Sequence, residues 1–140
     1  MDPLERVREF YEHLSPERVA QIGEIYAANA YFKDPFNEVR GAAAIERIFR
    51  HMYTQVLEPR FVVVDAVGSQ AQAFLTWEFR FRMRGLAGEQ TIRGATHLRF
   101  TPEGKVALHR DYWDAAEELW ARIPVLGALF RWLRRRAAAP

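Results

Sequence analysis

The 140-residue sequence contains no cysteine. That excludes a disulfide framework, a thiolate nucleophile and a cysteine-ligated zinc site. The four histidines, His13, His51, His97 and His109, stand apart without ligand-like spacing. No glycine-rich nucleotide signature is present either, so neither a metal nor a cofactor is expected. No apolar run approaches the roughly 18 residues of a membrane span. The opening Met1-Asp2-Pro3-Leu4-Glu5-Arg6 carries acids where a secretory leader would be apolar, which makes a cytoplasmic location the expectation. Acid is missing from the other end. Residues 121–140 hold Arg122, Arg131, Arg134, Arg135 and Arg136 with no Asp or Glu, which leaves 15 bases against 18 acids in residues 1–120. The net charge of +2 therefore belongs to a basic tail on a mildly acidic body, and nucleic acid is not an expected partner.

What is present is the composition of a folded chain, 49% hydrophobic and 27% charged, of a length that suits one domain with one core and one pocket. Asp2-Pro3 is a helix-start signal, and Leu4, Val7, Phe10, Tyr11 and Leu14 follow at helical spacing. Ser15-Pro16 repeats the signal, and Val19, Ile22, Ile25 and Tyr26 predict a second helix ending near Asn29. Tyr31 to Asp34 reads as a short extended piece stopped by Pro35. Gly41 opens a third helix with Ile45, Ile48, Phe49 and Met52 on one face, and Pro59 closes the helical half.

From Arg60 to about Asp114 the apolar period becomes two, with breaks at 68–69, 85–88 and 102–104, so four antiparallel strands are expected. Leu75, Trp77, Phe79, Phe81 and Met83 take one face of the second, opposite Glu78, Arg80, Arg82 and Arg84. The third alternates likewise, with Ile92, Thr96 and Leu98 opposite Arg93, His97 and Arg99. The last strand turns His109, Asp111 and Trp113 to the apolar side, with Val106 brought in by a bulge. After Asp114, a helix cap, the helical period returns through Leu119, Ile123, Leu126, Phe130 and Leu133. The chain thus divides into an α+β domain over 1–120 and a basic amphipathic helix over 121–140. That helix either packs on the domain or makes reversible contact with an anionic membrane surface.

Three amino-terminal helices followed by a curved antiparallel sheet resemble the nuclear transport factor 2-like superfamily, a cone-shaped fold. Two stretches carry the likeness. Ile25 to Pro35, with its Tyr-Ala and Asp-Pro pairs, is similar to ketosteroid isomerases, and Gly104 to Asp114 is similar to the last strand of limonene epoxide hydrolases and SnoaL-like polyketide cyclases. The resemblance implies a cofactor-independent isomerase, cyclase or hydrolase chemistry. In it Asp34 takes the place of the isomerase general base, and Asp111 that of one hydrolase carboxylate. It also places Phe10 where the isomerases carry a tyrosine donor and Thr96 where they carry a protonated aspartate. Trp77 and Phe79 replace the hydrolase Arg-x-Asp pair. Relatives of this kind often pair through the sheet, and the arginine-rich outer face suits a homodimer.

The expected site is a mainly apolar cavity for a small carbonyl- or hydroxyl-bearing molecule. Its catalytic residues would be Asp34, His109 and Asp111. Phe10, Tyr11, Phe32, Phe36 and Met52 would bind substrate from the helical half, and Trp77, Phe79, Ile92, Thr96 and Trp113 from the sheet. Two readings stay open: proton transfer with Asp34 as base, or non-catalytic binding of an apolar ligand or lipid in which the polar trio only orients the guest.

Overall fold

The computed structural model describes residues 1–118 and 124–139. Helix α1 spans Pro3–Glu12, and the Asp2 carboxylate caps it by accepting from Glu5 N at 2.8 Å. That bond satisfies one of the free amides of the first turn. Val7, Phe10 and Tyr11 are its buried side chains after Pro3.

The second predicted helix is the main departure from the sequence reading. Ser15 does start a turn, with Arg18 N donating to its hydroxyl at 3.2 Å. Only a 3-10 turn, Arg18–Gln21, and one helical turn, α2 (Ile22–Ile25), follow. Strand β1 then runs Tyr26–Lys33, where helix had been expected as far as Asn29. Tertiary pairing outweighs the weak local signal: Tyr26 is fully buried and hydrogen-bonded to the last strand.

Strand β2 (Glu38–Arg40) returns along β1, and α3 (Ala42–Gln55) follows Gly41. The four long strands are β3 (Leu57–Gly68), β4 (Gln72–Arg82), β5 (Gln90–Phe100) and β6 (Val106–Tyr112). Pro59 lies inside β3 instead of closing the helical half, beside a register shift between Leu57 and Arg60. A proline is tolerated there because β3 is an edge strand. The expected bulge in β6 is present: Leu108 pairs with Arg99 but Val106 with Phe100, so Val106 and His109 both turn inward.

The six strands form one curved, unclosed sheet in the order β2-β1-β6-β5-β4-β3. All pairs are antiparallel except β1 with β6, which is parallel and corrects the expectation of a wholly antiparallel sheet. Helix α1 lies against β3, and α3 against β1, β2 and β3, so the helices cover one face. Phe10, Val19, Ile22, Tyr26, Ala30, Ile45, Leu98 and Val106 are completely buried between the layers. Beyond β6, Asp114 accepts from Ala116 N and Glu117 N at 2.9 and 3.1 Å and starts a short helix, α4 (Ala115–Glu118). The last helix, α5, spans Pro124–Ala137. The expected stripe positions Leu119 and Ile123, and the boundary at 120/121, lie outside the described residues. No helix among the described residues is long and apolar enough to cross a membrane.

Candidate functional site

Between the helices and the sheet lies a cavity of about 770 Å3, in the range of small-molecule sites. Its walls are mostly aliphatic and aromatic. The inward positions of β3, β4 and β5 supply Phe61, Val63, Trp77, Phe79 and Ile92, while α3 supplies Ile48 and Met52. Phe36, Arg47, His51 and Gln55 are exposed lining residues and mark its mouth.

One continuous hydrogen-bond chain crosses the polar part of this wall. His109 and Asp111, two apart on β6, project to the same side, and His109 Nε2 lies 2.6 Å from Asp111 Oδ1. Thr96, directly opposite Asp111 on β5, donates its hydroxyl to the same oxygen at 2.5 Å. The Thr96 oxygen in turn accepts the Trp77 indole N–H at 2.7 Å. On the other side of the imidazole, Nδ1 lies 2.8 Å from the Tyr26 hydroxyl and 3.3 Å from that of Tyr11, and the two phenols are hydrogen-bonded to each other. Phe32 packs on the imidazole with ring centroids 4.6 Å apart.

The direction of the protons follows from these partners. Burial holds both phenols protonated: it is the largest cause raising each above the ordinary tyrosine range, and the negative charge of Asp111 adds to it. A protonated Tyr26 donates to Nδ1, so neutral His109 carries its proton on Nε2 and gives that bond to the Asp111 carboxylate. Because a hydroxyl both donates and accepts, the phenol pair can also turn and accept from an imidazolium. Asp111 Oδ1 is thereby saturated. Its Oδ2 takes no hydrogen bond among the described residues, and Asp111 lines the cavity.

Asp34 lines the same cavity, so the structure brings it together with His109 and Asp111. Its surroundings differ. It precedes Pro35 in a tight turn, and Oδ1 accepts from Phe36 N at 2.8 Å, Asn37 N at 2.6 Å and Asn37 Nδ2 at 3.1 Å. Oδ2 accepts from Asn37 Nδ2 at 3.2 Å. This carboxylate closes its own loop.

Tyr11, Phe32, Phe36, Met52, Trp77, Phe79, Ile92, Thr96 and Trp113 also line the cavity. Phe10 does not. It is fully buried under the Arg18 guanidinium, 5.4 Å from the ring centroid, because one step along α1 turns the side chain by about 100° from the cavity-facing Tyr11. Sequence reasoning missed Arg47 and His51, whose four-residue spacing beside the inward Ile48 and Met52 was the available signal. It also missed that Thr96 links Trp77 to Asp111. Of the two indoles on the wall, Trp113 has no partner for its N–H among the described residues. No group of His, Asp and Glu among the described residues is arranged to hold a metal ion.

The family model of the SnoaL-like domain matches residues 7–109. The chain belongs to the SnoaL-like family. Among curated proteins, none matches this sequence. Solved structures share the fold at low identity. An LEH-like epoxide hydrolase from M. tuberculosis superposes with a TM-score of 0.71 at 16% identity, over 91% of this chain and 93% of its own. A Catenulispora acidiphila protein of ketosteroid isomerase-like fold, crystallised with trimethylamine, gives 0.70 at 14%, over 84% and 88%. A Jannaschia sp. CCS1 protein named for the SnoaL-like polyketide cyclases gives 0.70 at 11%, over 99% and 93%. This family and its fold join different chemistries on one frame, so the activity has to be argued from the site.

Proposed function

We propose that this SnoaL-like protein binds a small apolar molecule bearing a carbonyl or hydroxyl group and moves a proton on it without a cofactor. The observation that carries this reading is the carboxylate of Asp111, a residue that lines an apolar cavity, fixed through Oδ1 by His109 and Thr96 while Oδ2 takes no hydrogen bond among the described residues. A carboxylate so placed suits removal of a proton from carbon beside a carbonyl. His109 holds it by charge-assisted hydrogen bonding, and the phenol pair fixes the imidazole tautomer. Trp113 lines the same cavity, and its indole N–H has no partner among the described residues. Asp34, expected as the base, is less suited, because four N–H contacts tie both of its oxygens into its own turn.

Proton exchange at the α-carbon of a fused aromatic ketone such as 1-tetralone, followed by NMR in deuterated water, tests this. The wild-type protein is expected to speed exchange, and Asp111→Asn to remove roughly 100- to 10,000-fold of that gain while the ketone still binds. Asp34→Asn should keep most of it. Exchange in Asp111→Asn at the wild-type rate overturns the assignment.

One observation favours a second reading, a carrier that performs no chemistry. Trp77, Thr96, Tyr26 and Tyr11 are all engaged within the chain of hydrogen bonds, so a developing oxyanion beside Asp111 would find no preorganised donor among them, and Arg47, His51 and Gln55 stand at the mouth. A bound ketone that exchanges no faster than in buffer supports the carrier. Either activity is compatible with a second copy seated on the outer sheet face, where Val67, Phe74 and Tyr112 are exposed; sedimentation of a Phe74→Glu variant beside wild type tests that pairing.

A further inference from the structure

The cavity makes no use of α5, yet among the described residues this helix holds the largest group of exposed large apolar side chains. Val125 is 81% exposed, and Leu126, Leu129, Trp132 and Leu133 are between 43% and 49%. At about 100° per residue these five positions fall within an arc of about 120° of the helix circumference. The buried position is Gly127, on the opposite side of the wheel, so the helix meets its neighbour with a small residue and turns its apolar stripe outward. Its only neighbouring element of substantial contact among the described residues is α4. Of the two readings of this helix, packing on the domain or contact with a membrane, the exposure of these five side chains favours the second.

The charge on the same helix says what surface fits it. Arg131, Arg134, Arg135 and Arg136 are all exposed, and no acid follows Glu118 in the sequence. Arg134 approaches Glu117 only at 3.9 Å across exposed side chains, a pairing of little strength. Arg136 lies over the Trp132 ring at 5.6 Å, which puts a cation next to an indole at the carboxy-terminal end of the apolar stripe. An apolar arc with tryptophan, followed by a run of arginines at its carboxy-terminal end and free of acid, is the pattern of a helix lying in the headgroup region of a bilayer, where long arginine side chains reach round to the phosphates. A purely apolar protein partner would leave the arginines uncompensated. Anionic lipid supplies both the hydrocarbon for the stripe and the phosphate for the guanidiniums.

We propose that α5 docks this protein reversibly on anionic membrane surfaces, with Leu126, Leu129, Trp132 and Leu133 entering the interface and the arginines engaging lipid phosphates.

The test uses the full chain and sedimented vesicles, either phosphatidylcholine alone or phosphatidylcholine with phosphatidylglycerol. Binding to the anionic vesicles is expected to be on the order of 100-fold tighter than to the neutral ones and to weaken as salt is raised. Two exposed-site variants separate the contributions: L129E/L133E and R134Q/R135Q/R136Q. Both are expected to keep the wild-type circular dichroism and cavity-ligand binding, and each should lose at least about tenfold in anionic-vesicle affinity. Equal binding to both vesicle types, or unchanged binding by both variants, overturns the proposal. So does a protein that ignores vesicles but sediments as an oligomer that L129E/L133E dissociates, since a second copy then covers the stripe.

Discussion

Tyr26 shows how much of the site rests on a single hydroxyl. It supplies the shorter of two contacts to His109 Nδ1, and the alternative from Tyr11 is stretched to 3.3 Å. Tyr26→Phe should leave that buried nitrogen poorly satisfied and cost about 1–3 kcal/mol, read as a lower urea midpoint at unchanged slope. The same change frees the imidazole to exchange tautomers, so exchange activity should fall even where folding is intact. The pairing of His109 with Asp111 was legible in the sequence, because residues two apart on a strand share a face. Tyr11 was legible as a substrate-binding residue and Tyr26 as an apolar-stripe member, but their bonds to His109 were not. Their partner lies 83 and 98 positions away, and no local pattern encodes a contact closed by the whole fold. Phe10 and Tyr11 illustrate the opposite error, where adjacent helical positions of similar character go to core and cavity respectively.

At the level of elements, strands with clean alternation could be read directly. β4 and β5 carry their inward and outward sets as expected, and the bulge of β6 followed from Val106 and His109 needing the same face. The stretch 18–30 misled because alanines and a four-residue apolar spacing look helical until a long-range partner is considered. The turn between β5 and β6 was read from composition alone, but it also clamps α1: Arg6 donates to the Gly104 carbonyl at 2.8 Å. Gly104 sits at φ +84°, and a Cβ there would lie 2.5 Å from the Arg6 guanidinium nitrogen. Gly104→Ala should therefore cost about 1–3 kcal/mol, chiefly the strain of a Cβ at positive φ, with a smaller part from displacing the Arg6 side chain that Arg6→Ala should remove in a double-mutant cycle. A related close approach shapes the cavity wall. A Cβ at Gly94 would come within 2.6 Å of two Trp77 ring atoms, so the small residue on β5 is what lets the Trp77 ring lie flat enough to donate to Thr96.

For the whole molecule, the buried phenols link the site to stability in alkali. Tyr11 and Tyr26 have raised values when folded and ordinary ones when unfolded. Between those limits the folded state binds more protons, so the stabilisation is complete below pH of about 10 and is lost as pH rises beyond it. Titration should show the phenolate absorbance of these two residues appearing only together with loss of circular dichroism. A gradual, fold-retaining appearance of all five tyrosines would contradict the burial of the pair.

The parallel pairing of β1 with β6 also has a kinetic consequence. β1 is the first strand in the sequence, but it sits between β2 and the last strand, with Tyr26 opposite Val106. Its open edge waits for nearly the whole sheet to exist, and loop closure of that span is slow. Tyr11 and Tyr26 belong to the early half and His109 and Asp111 to the late one. Refolding should thus restore secondary structure before it restores near-ultraviolet circular dichroism, with the hydrogen-bonded chain from Tyr11 to Asp111 the last part of the protein to mature.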